Sequence, residues 1–543
     1  MYIRNVSALE KVLPTSSISA PEYNEGSCLK NEEFSYQVAF IGERDRFMQR
    51  MKVDIISDIS DCIQVYQVGN VPVTMPTYLN DCDNDYITHD VSVIPDILSE
   101  YDGYICASRH HYKALWLSVK TTPETSAGEH EIKLLFSLNG EPQGESVFKL
   151  NVIGAELPEQ KLKFTQWFHC DSIATYYHQK PLSDAHWNSI DQFMKMASDH
   201  GINMILTPVV TPPLDTAVGW ERPTVQLVDI ACEGGIYSFS FEKLDRWLAL
   251  CRKNHITHLE ISHLFTQWGA EHCPKIEVLE DGILTKKFGW HTDSLGDEYR
   301  QFLSQFLPAL TAHLKKNWDS QKIYFHISDE PSEKHLERYG KLYQMIKPYL
   351  QGFMTMDALS NIDFYKSGCV DVPVVATDEV EAFLEEKIDN MWVYYCCGQF
   401  RHYLSNRFIA MPSYRNRIIG TQLYKYKIKG FLQWGYNFYY SQNSLRPINP
   451  FYENDADGAF PAGDAFSVYP GPDGPLPSLR LKVFAQALQD VRAMELLESL
   501  IGRDRVMELV DAQRTITFRD YPRSADYILG LREQVNAWIA ENL

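Results

Sequence analysis

KFTQWFHCDSIATYYHQKPLSDAHWNSIDQFMKMASDHGINMILTP (residues 163–208) reads as strand, helix, strand. KFTQWF (163–168) and INMILTP (202–208) are short apolar runs of strand length. Between them HWNSIDQFMKMASDHG is amphipathic and stops at Gly201, a helix-exit signal. Two strands separated by a helix pair in parallel, so this stretch sets the class as α/β.

The pattern continues toward the C-terminus. HLEISHLF (258–265), IYFHIS (323–328), FMTMD (353–357), VPVVAT (372–377), MWVYYCC (391–397) and GFLQWGY (430–436) are further apolar strands. Amphipathic stretches separate most of them: FEKLDRWLALCRKN, EYRQFLSQFLPALTAHLKKN, ERYGKLYQMIKPYL and PSYRNRIIGTQLYKYKIKG, the last ending at Gly430. LRLKVFAQALQDVRAMELLESLI follows the eighth strand. Eight strands alternating with helices predict a (β/α)8 TIM-like barrel over 159–500, with a short connection between strands six and seven. A doubly wound open sheet is the alternative. No internal repeat or low-complexity tract is visible.

Residues 1–158 read differently. FSYQVAFIG (34–42), VDIISDIS (53–60), CIQVYQVG (62–69), ALWLSVKT (114–121), HEIKLLFSL (130–138) and ESVFKLNVIG (145–154) are short runs rich in Val, Ile, Tyr and Phe, separated by turn residues. They predict an antiparallel β-sandwich that supports the barrel, with a turn at Gly128 joining two of the strands. Residues 501–543 are expected to form a C-terminal helical extension, making the chain multidomain.

Composition narrows the function. The 543 residues carry 51 Lys and Arg against 71 Asp and Glu, a formal charge of −20. That balance repels phosphate backbones and anionic lipid, so neither nucleic acid nor a membrane is an expected partner. The amino terminus MYIRNVSALEKVLPTSS lacks the apolar core of a signal peptide. Eleven cysteines form no CxxC pair and fit reduced thiols, which points to a cytoplasmic enzyme.

In a barrel the reactive groups stand at the carboxyl ends of the strands. Strand four ends in Ser328-Asp329-Glu330-Pro331, and this carboxylate pair is the sharpest chemical feature. Two adjacent carboxylates repel, so at least one pKa rises and one group can donate a proton while the other stays anionic. Capping of the following helix is the plainer reading. Trp167, Trp392, Tyr395, Trp434 and Tyr436, with the loop residues Trp268 and Trp290, are expected at the barrel mouth, where flat apolar faces suit sugar rings. Asp81, Asp83 and Asp85 begin like a calcium loop, but Tyr86 replaces the required Gly and Ser92 the bidentate Glu, which leaves a solvated acidic turn. His255, His258 and His263 lack zinc-ligand spacing. No G-x-G-x-x-G, P-loop or G-x-S-x-G is present, and no metal or cofactor is expected.

HISDEP at the fourth strand and GDAFSVYPGPDGPLPSLRLKVFAQALQD (463–490) resemble glycoside hydrolase family 123. The resemblance runs from about residue 30 to 510. It implies an exo-acting, retaining β-N-acetylgalactosaminidase in which the substrate's own acetamido oxygen attacks the anomeric carbon. Glu330 would then be the general acid/base, and Asp329 would orient the acetamido group and stabilise the oxazolinium intermediate. Asn203, His263, Trp392, Tyr395, Trp434 and Asn437 would be pocket residues contacting an oligosaccharide or glycoconjugate-derived glycan. Strand seven ends in Cys396-Cys397-Gly398-Gln399, where a conventional barrel glycosidase is expected to carry its second acid. A conventional glycosidase using Asp357, Asp378 or Glu379 is the second reading, and a non-catalytic carbohydrate-binding barrel the third.

Overall fold

All eight apolar runs are strands: Lys163–Gln166, Met204–Thr207, His258–Ile261, Ile323–His326, Met354–Leu359, Val372–Ala376, Trp392–Tyr394 and Gly430–Gln433. Each pairs in parallel with the next, and the eighth returns to the first through Lys163↔Gly430, so the barrel is closed rather than an open sheet. The computed structural model describes residues 1–15, 18–43 and 48–543.

The helix of the opening stretch runs Asp184–Asp199 and is capped by Ser183, whose side chain accepts from His186 N–H. Gly201 takes φ +84° at its exit, as expected. Gly430 does something else. The helix Ile419–Lys425 is ended by Lys427 at φ +55°, and Gly430 opens the eighth strand. A Cβ at Gly430 would lie 2.1 Å from the Trp392 ring. Trp392 therefore fills the barrel's interior, together with Met204, Leu206, Tyr324, Met356, Val374 and Leu432. Burying side chains of this size contributes roughly 1.5–3 kcal/mol each. Helices lie between all neighbouring strands, but Asp363–Lys366 and Glu381–Glu385 are only about one turn long. Two hairpins inserted after strands two and three, Asp229–Ser240 and Ile276–Phe288, join into a four-stranded side sheet not foreseen from sequence.

The N-terminal region holds two five-stranded sheets. Tyr36, Val38, Leu115 and Leu117 of one share a core with Val53, Leu134, Phe148 and Leu150 of the other. Tyr36 and Phe148 stack across it at 4.0 Å. The sheets are antiparallel except for one pair, Glu25–Lys30 alongside Glu141–Glu156, which is parallel. The strands flanking Gly128, Lys113–Lys120 and Gly128–Leu138, lie in opposite sheets, so this turn crosses the core instead of closing a hairpin.

The sheets are bound to the barrel by one continuous apolar cluster that includes Val71, Val73, Tyr86 and Ile94. Buried ion pairs reinforce the seam. Asp96 meets Arg480 at 3.0 Å, and Asp83 meets Arg415 at 2.8 Å with side chains only 4% and 0% exposed. Asp83 is thus a strut between regions, a correction to the solvated turn read from its acidic neighbours. The helix Ala525–Glu541 packs back on the N-terminal strands, with Arg532 paired to Glu32 at 2.7 Å. Among the described residues no helix is long and apolar enough to cross a membrane.

Candidate active site

The fourth strand stops at His326, and the chain turns over Ile327–Pro331. Glu330 takes φ +46°, a left-handed conformation that non-glycine residues rarely adopt. The turn matters because successive strand residues face opposite ways. Here Asp329 and Glu330 both line one cavity of about 120 Å3, with Trp167, Leu214, Asp215, Gln267, Trp268, Ala358, Tyr394, Cys396, Cys397, Leu432, Trp434 and Phe460. Wider clefts of 720–890 Å3 exist elsewhere, but they run along seams between elements and lack this carboxylate pair.

Tyr394 Oη donates to Glu330 Oε1 at 2.7 Å. Glu330 keeps solvent-exposed surface on the open side, though protein crowds it from the other directions. Burial raises its pKa, the Tyr394 hydrogen bond opposes that rise, and Asp378 adds to it. Asp329 is pushed well above the usual carboxylate range, by burial first and then by Glu330, Asp357, Asp215 and Glu260. Both shifts favour the protonated acids.

A second ring of groups holds these two. Asp357 Oδ2 accepts from Ser328 N–H at 3.0 Å and Tyr339 Oη at 2.7 Å, which pins the turn from below. Glu260 accepts from Trp167 Nε1 at 2.7 Å and Thr165 Oγ1 at 2.6 Å, and contacts His326 Nε2. Trp434 Nε1 donates to Asp464 Oδ2 at 2.8 Å. Asp464 belongs to the Gly-Asp of the 463–490 stretch, and Arg480 of the same stretch donates to the Gly463 and Phe466 carbonyls while pairing with Asp96. That stretch is therefore the brace for a cavity-wall tryptophan.

Of the pocket residues expected from sequence, Trp434 lines the cavity, as do Asp329 and Glu330. The others require correction. Asn203 precedes the second strand at the opposite end of the barrel, where it donates to Leu162 O and accepts from Phe164 N–H. Trp392 begins its strand and lies inside the barrel, away from the cavity. Tyr395 packs outward against Phe431 at 4.9 Å, with a buried hydroxyl that has no partner among the described residues. Alternation along strand seven turns Tyr394 inward and Tyr395 outward, so the expectation was one residue out of register. His263 is wholly buried behind Trp167, stacked on His326 at 4.2 Å. Asn437 clamps the end of strand one through the His169 N–H and carbonyl, and is fully buried. Trp290 packs on His272 and Tyr436 is core.

Sequence reading also missed a carboxylate. Asp215 stands on the long loop after strand two, in the left-handed region at φ +41°, and accepts from Asn443 N–H at 3.1 Å. Burial pushes its pKa up to about 6. Only its place in a loop at a strand's carboxyl end could have marked it. The second-acid candidates fare differently: Asp357 serves the turn, and Asp378 accepts from Gln399 at 2.7 Å without lining the cavity. The Cys396 thiol is raised well above its ordinary value, by its Cys397 neighbour first and burial second, so it is no ready nucleophile.

The carboxylate pair, the aromatic wall and the barrel can be set beside known proteins. A family model described as the glycoside hydrolase 123 catalytic domain matches residues 167–497, well over half of the chain. This chain belongs to glycoside hydrolase family 123. A family 123 glycoside hydrolase from Clostridium perfringens, solved in a study of glycolipid glycan hydrolysis, is similar over 100% of this chain and 97% of its own at TM-score 0.74 and 14% identity. A family 39 glycoside hydrolase from Bacteroides cellulosilyticus (TM-score 0.35, 10% identity, 88% and 82% covered) and a family 5 mannosidase from Rhizomucor miehei (0.34, 12%, 66% and 95%) are more distant. The sequence matches none of the curated proteins with which it was compared. As a family 123 member the protein is a glycoside hydrolase, and its substrate is a glycan.

Proposed function

We propose that this glycoside hydrolase is a retaining exo-enzyme that releases a terminal β-linked N-acetylgalactosamine, or a related N-acetylhexosamine, with the sugar's own acetamide as nucleophile. Glu330 donates its proton to the glycosidic oxygen as the acetamido oxygen attacks the anomeric carbon, and the leaving group departs protonated. Glu330, now a carboxylate, takes a proton from the water that opens the oxazolinium ring, so the released sugar retains its configuration. Asp329 becomes the anionic member of the pair as the positive charge growing on the ring draws its pKa down, and in that form it accepts the acetamido N–H and stabilises that charge. Trp167, Trp434 and Tyr394 wall the terminal sugar.

The observation that carries this reading is the pairing of consecutive carboxylates in one cavity with a strand-seven end that supplies thiols in place of an acid. A conventional double displacement needs a second carboxylate across the scissile bond, about 5–5.5 Å from the first. Asp215, on the loop after strand two, also lines the cavity and takes the place of Asp357, Asp378 and Glu379 as the candidate for that role. Hydrolysis of aryl β-N-acetylgalactosaminide and aryl β-galactoside, measured side by side with Asp329→Asn, separates the two. The acetamide mechanism predicts activity on the first sugar alone and a loss of at least about 100-fold in Asp329→Asn. Turnover of the plain galactoside, or an undiminished Asp329→Asn enzyme, refutes it.

A further inference from the structure

Every residue from Ile261 to Ala270 is buried except Trp268, which is 51% exposed. Its indole lies on the rim of the cavity that holds Asp329 and Glu330. Among the described residues the ring has no aromatic or cationic neighbour, and its N–H has no acceptor. Leaving the largest apolar side chain in water is unfavourable, and the backbone beneath it is strained as well. Trp268, Gly269 and Ala270 take φ of +56°, +137° and +55° in succession. A Cβ on Gly269 would come within 2.9 Å of the His335 ring, so that ring packs directly against the glycine backbone. Strain of this kind persists where surrounding structure enforces it and gathers at ligand clamps. The enforcing contact is to the carboxylate turn itself, because the backbone N–H of Trp268 donates to the Asp329 carbonyl at 2.8 Å.

We propose that Trp268 is the platform for the leaving-group sugar, so that the natural substrate is at least a disaccharide whose penultimate residue stacks an apolar face on this indole. The inference rests on the assignment of Glu330 as acid/base. A cavity of about 120 Å3 is small beside the roughly 300–1,000 Å3 of drug-sized ligand sites. It has no room to enclose two sugar rings, so a second unit must lie outside, on the rim. Glu330 faces the glycosidic oxygen between the two, and the same turn that presents Glu330 holds Trp268 through Asp329. The platform and the proton donor therefore share one register.

The test compares the wild type with Trp268→Ala and Trp268→Phe on a methyl β-N-acetylgalactosaminide and on a disaccharide with galactose as leaving unit. Stacking of one ring predicts a loss of about three- to tenfold in kcat/KM for Trp268→Ala on the disaccharide, chiefly through KM, and a smaller loss on the methyl glycoside. Trp268→Phe recovers most of the disaccharide rate. Equal losses on both substrates, as a lid over the terminal sugar or a structural residue would give, overturn the proposal, as does no loss on the disaccharide. Calorimetric Kd values for the same two ligands on Glu330→Gln protein give a reading independent of turnover. If the disaccharide binds no more tightly than the methyl glycoside, the proposal fails. If both acetamido ligands are ignored while a plain methyl galactoside and its disaccharide are hydrolysed, the acetamide reading fails instead, and the Trp268 comparison is made on that pair.

Discussion

Tyr394 holds Glu330: the phenol donates to one carboxylate oxygen at 2.7 Å, from the strand end where barrel glycosidases are expected to place an acid. A donor to the anion lowers a carboxyl pKa, so Tyr394 counters the burial and the Asp378 charge that raise it. In the proposed mechanism Glu330 gives up its proton in one half-reaction and recovers it in the next, and this bond would keep both states within reach.

Tyr394→Phe removes that donor and raises the Glu330 pKa further. The alkaline limb of kcat/KM should move up by about one pH unit, while kcat falls because an acid of higher pKa gives its proton less readily to the leaving group. A pH–rate profile on a natural glycoside measures both. An unmoved alkaline limb would show that Tyr394 does not tune Glu330.

Asp215 separates two mechanisms. As a charged neighbour and hydrogen-bond acceptor for sugar hydroxyls, its replacement in Asp215→Asn should cost about 10- to 100-fold in kcat/KM. As the nucleophile of a double displacement, it would cost at least about 10,000-fold and leave no covalent intermediate. Steady-state kinetics with mass spectrometry of a slow fluoro-sugar substrate reads the difference.

Tyr395 provides a check on register. Its hydroxyl is buried without a partner among the described residues, so Tyr395→Phe should gain about 1 kcal/mol in denaturant unfolding and leave KM unchanged. A raised KM would return Tyr395 to the pocket.

Asp357 links the site to pH-dependent stability. It is fully buried, and burial pushes its carboxyl up to about 6. An acid whose folded pKa is raised binds its proton more tightly when folded. Its contribution is complete below the unfolded value near 4 and is lost as pH rises through 6, at most about 3 kcal/mol. Asp357→Asn mimics the protonated acid, so its Tm relative to wild type should improve between pH 4 and pH 7. A difference that stays constant over that range would rule out the titration of Asp357.

The seam between sheets and barrel depends on Asp83. Asp83→Ala leaves Arg415 charged and buried, which should destabilise the fold by about 3–5 kcal/mol. Chemical denaturation measures it, and a loss below about 1 kcal/mol would mean that water replaces the carboxylate.

The eight barrel strands were legible because each is a short apolar run separated from the next by a strong helical period or a turn, and both are local properties. The N-terminal strands Tyr2–Ser7, Glu25–Lys30, Ser92–Glu100 and Tyr104–Ser108 were not, since none stands out as a strongly alternating apolar run. The side sheet escaped for the same reason: the first four residues of Ile283–Phe288 are exposed and carry little apolar pattern.

The sequence by itself determined the class of fold, the end of the barrel that matters and the two consecutive carboxylates, because each follows from composition and order along the chain. Tertiary structure decided which aromatic residues face them. Trp392 was drawn inside by the space at Gly430, Tyr395 was turned outward by the pleat, and Asn437 was spent on holding a loop. Asp215 and Trp268 reached the cavity from loops whose path is fixed by distant hydrogen bonds, to Asn443 and to Asp329. Local pattern specifies an element, whereas the direction of a side chain at its end depends on what the rest of the chain packs against it.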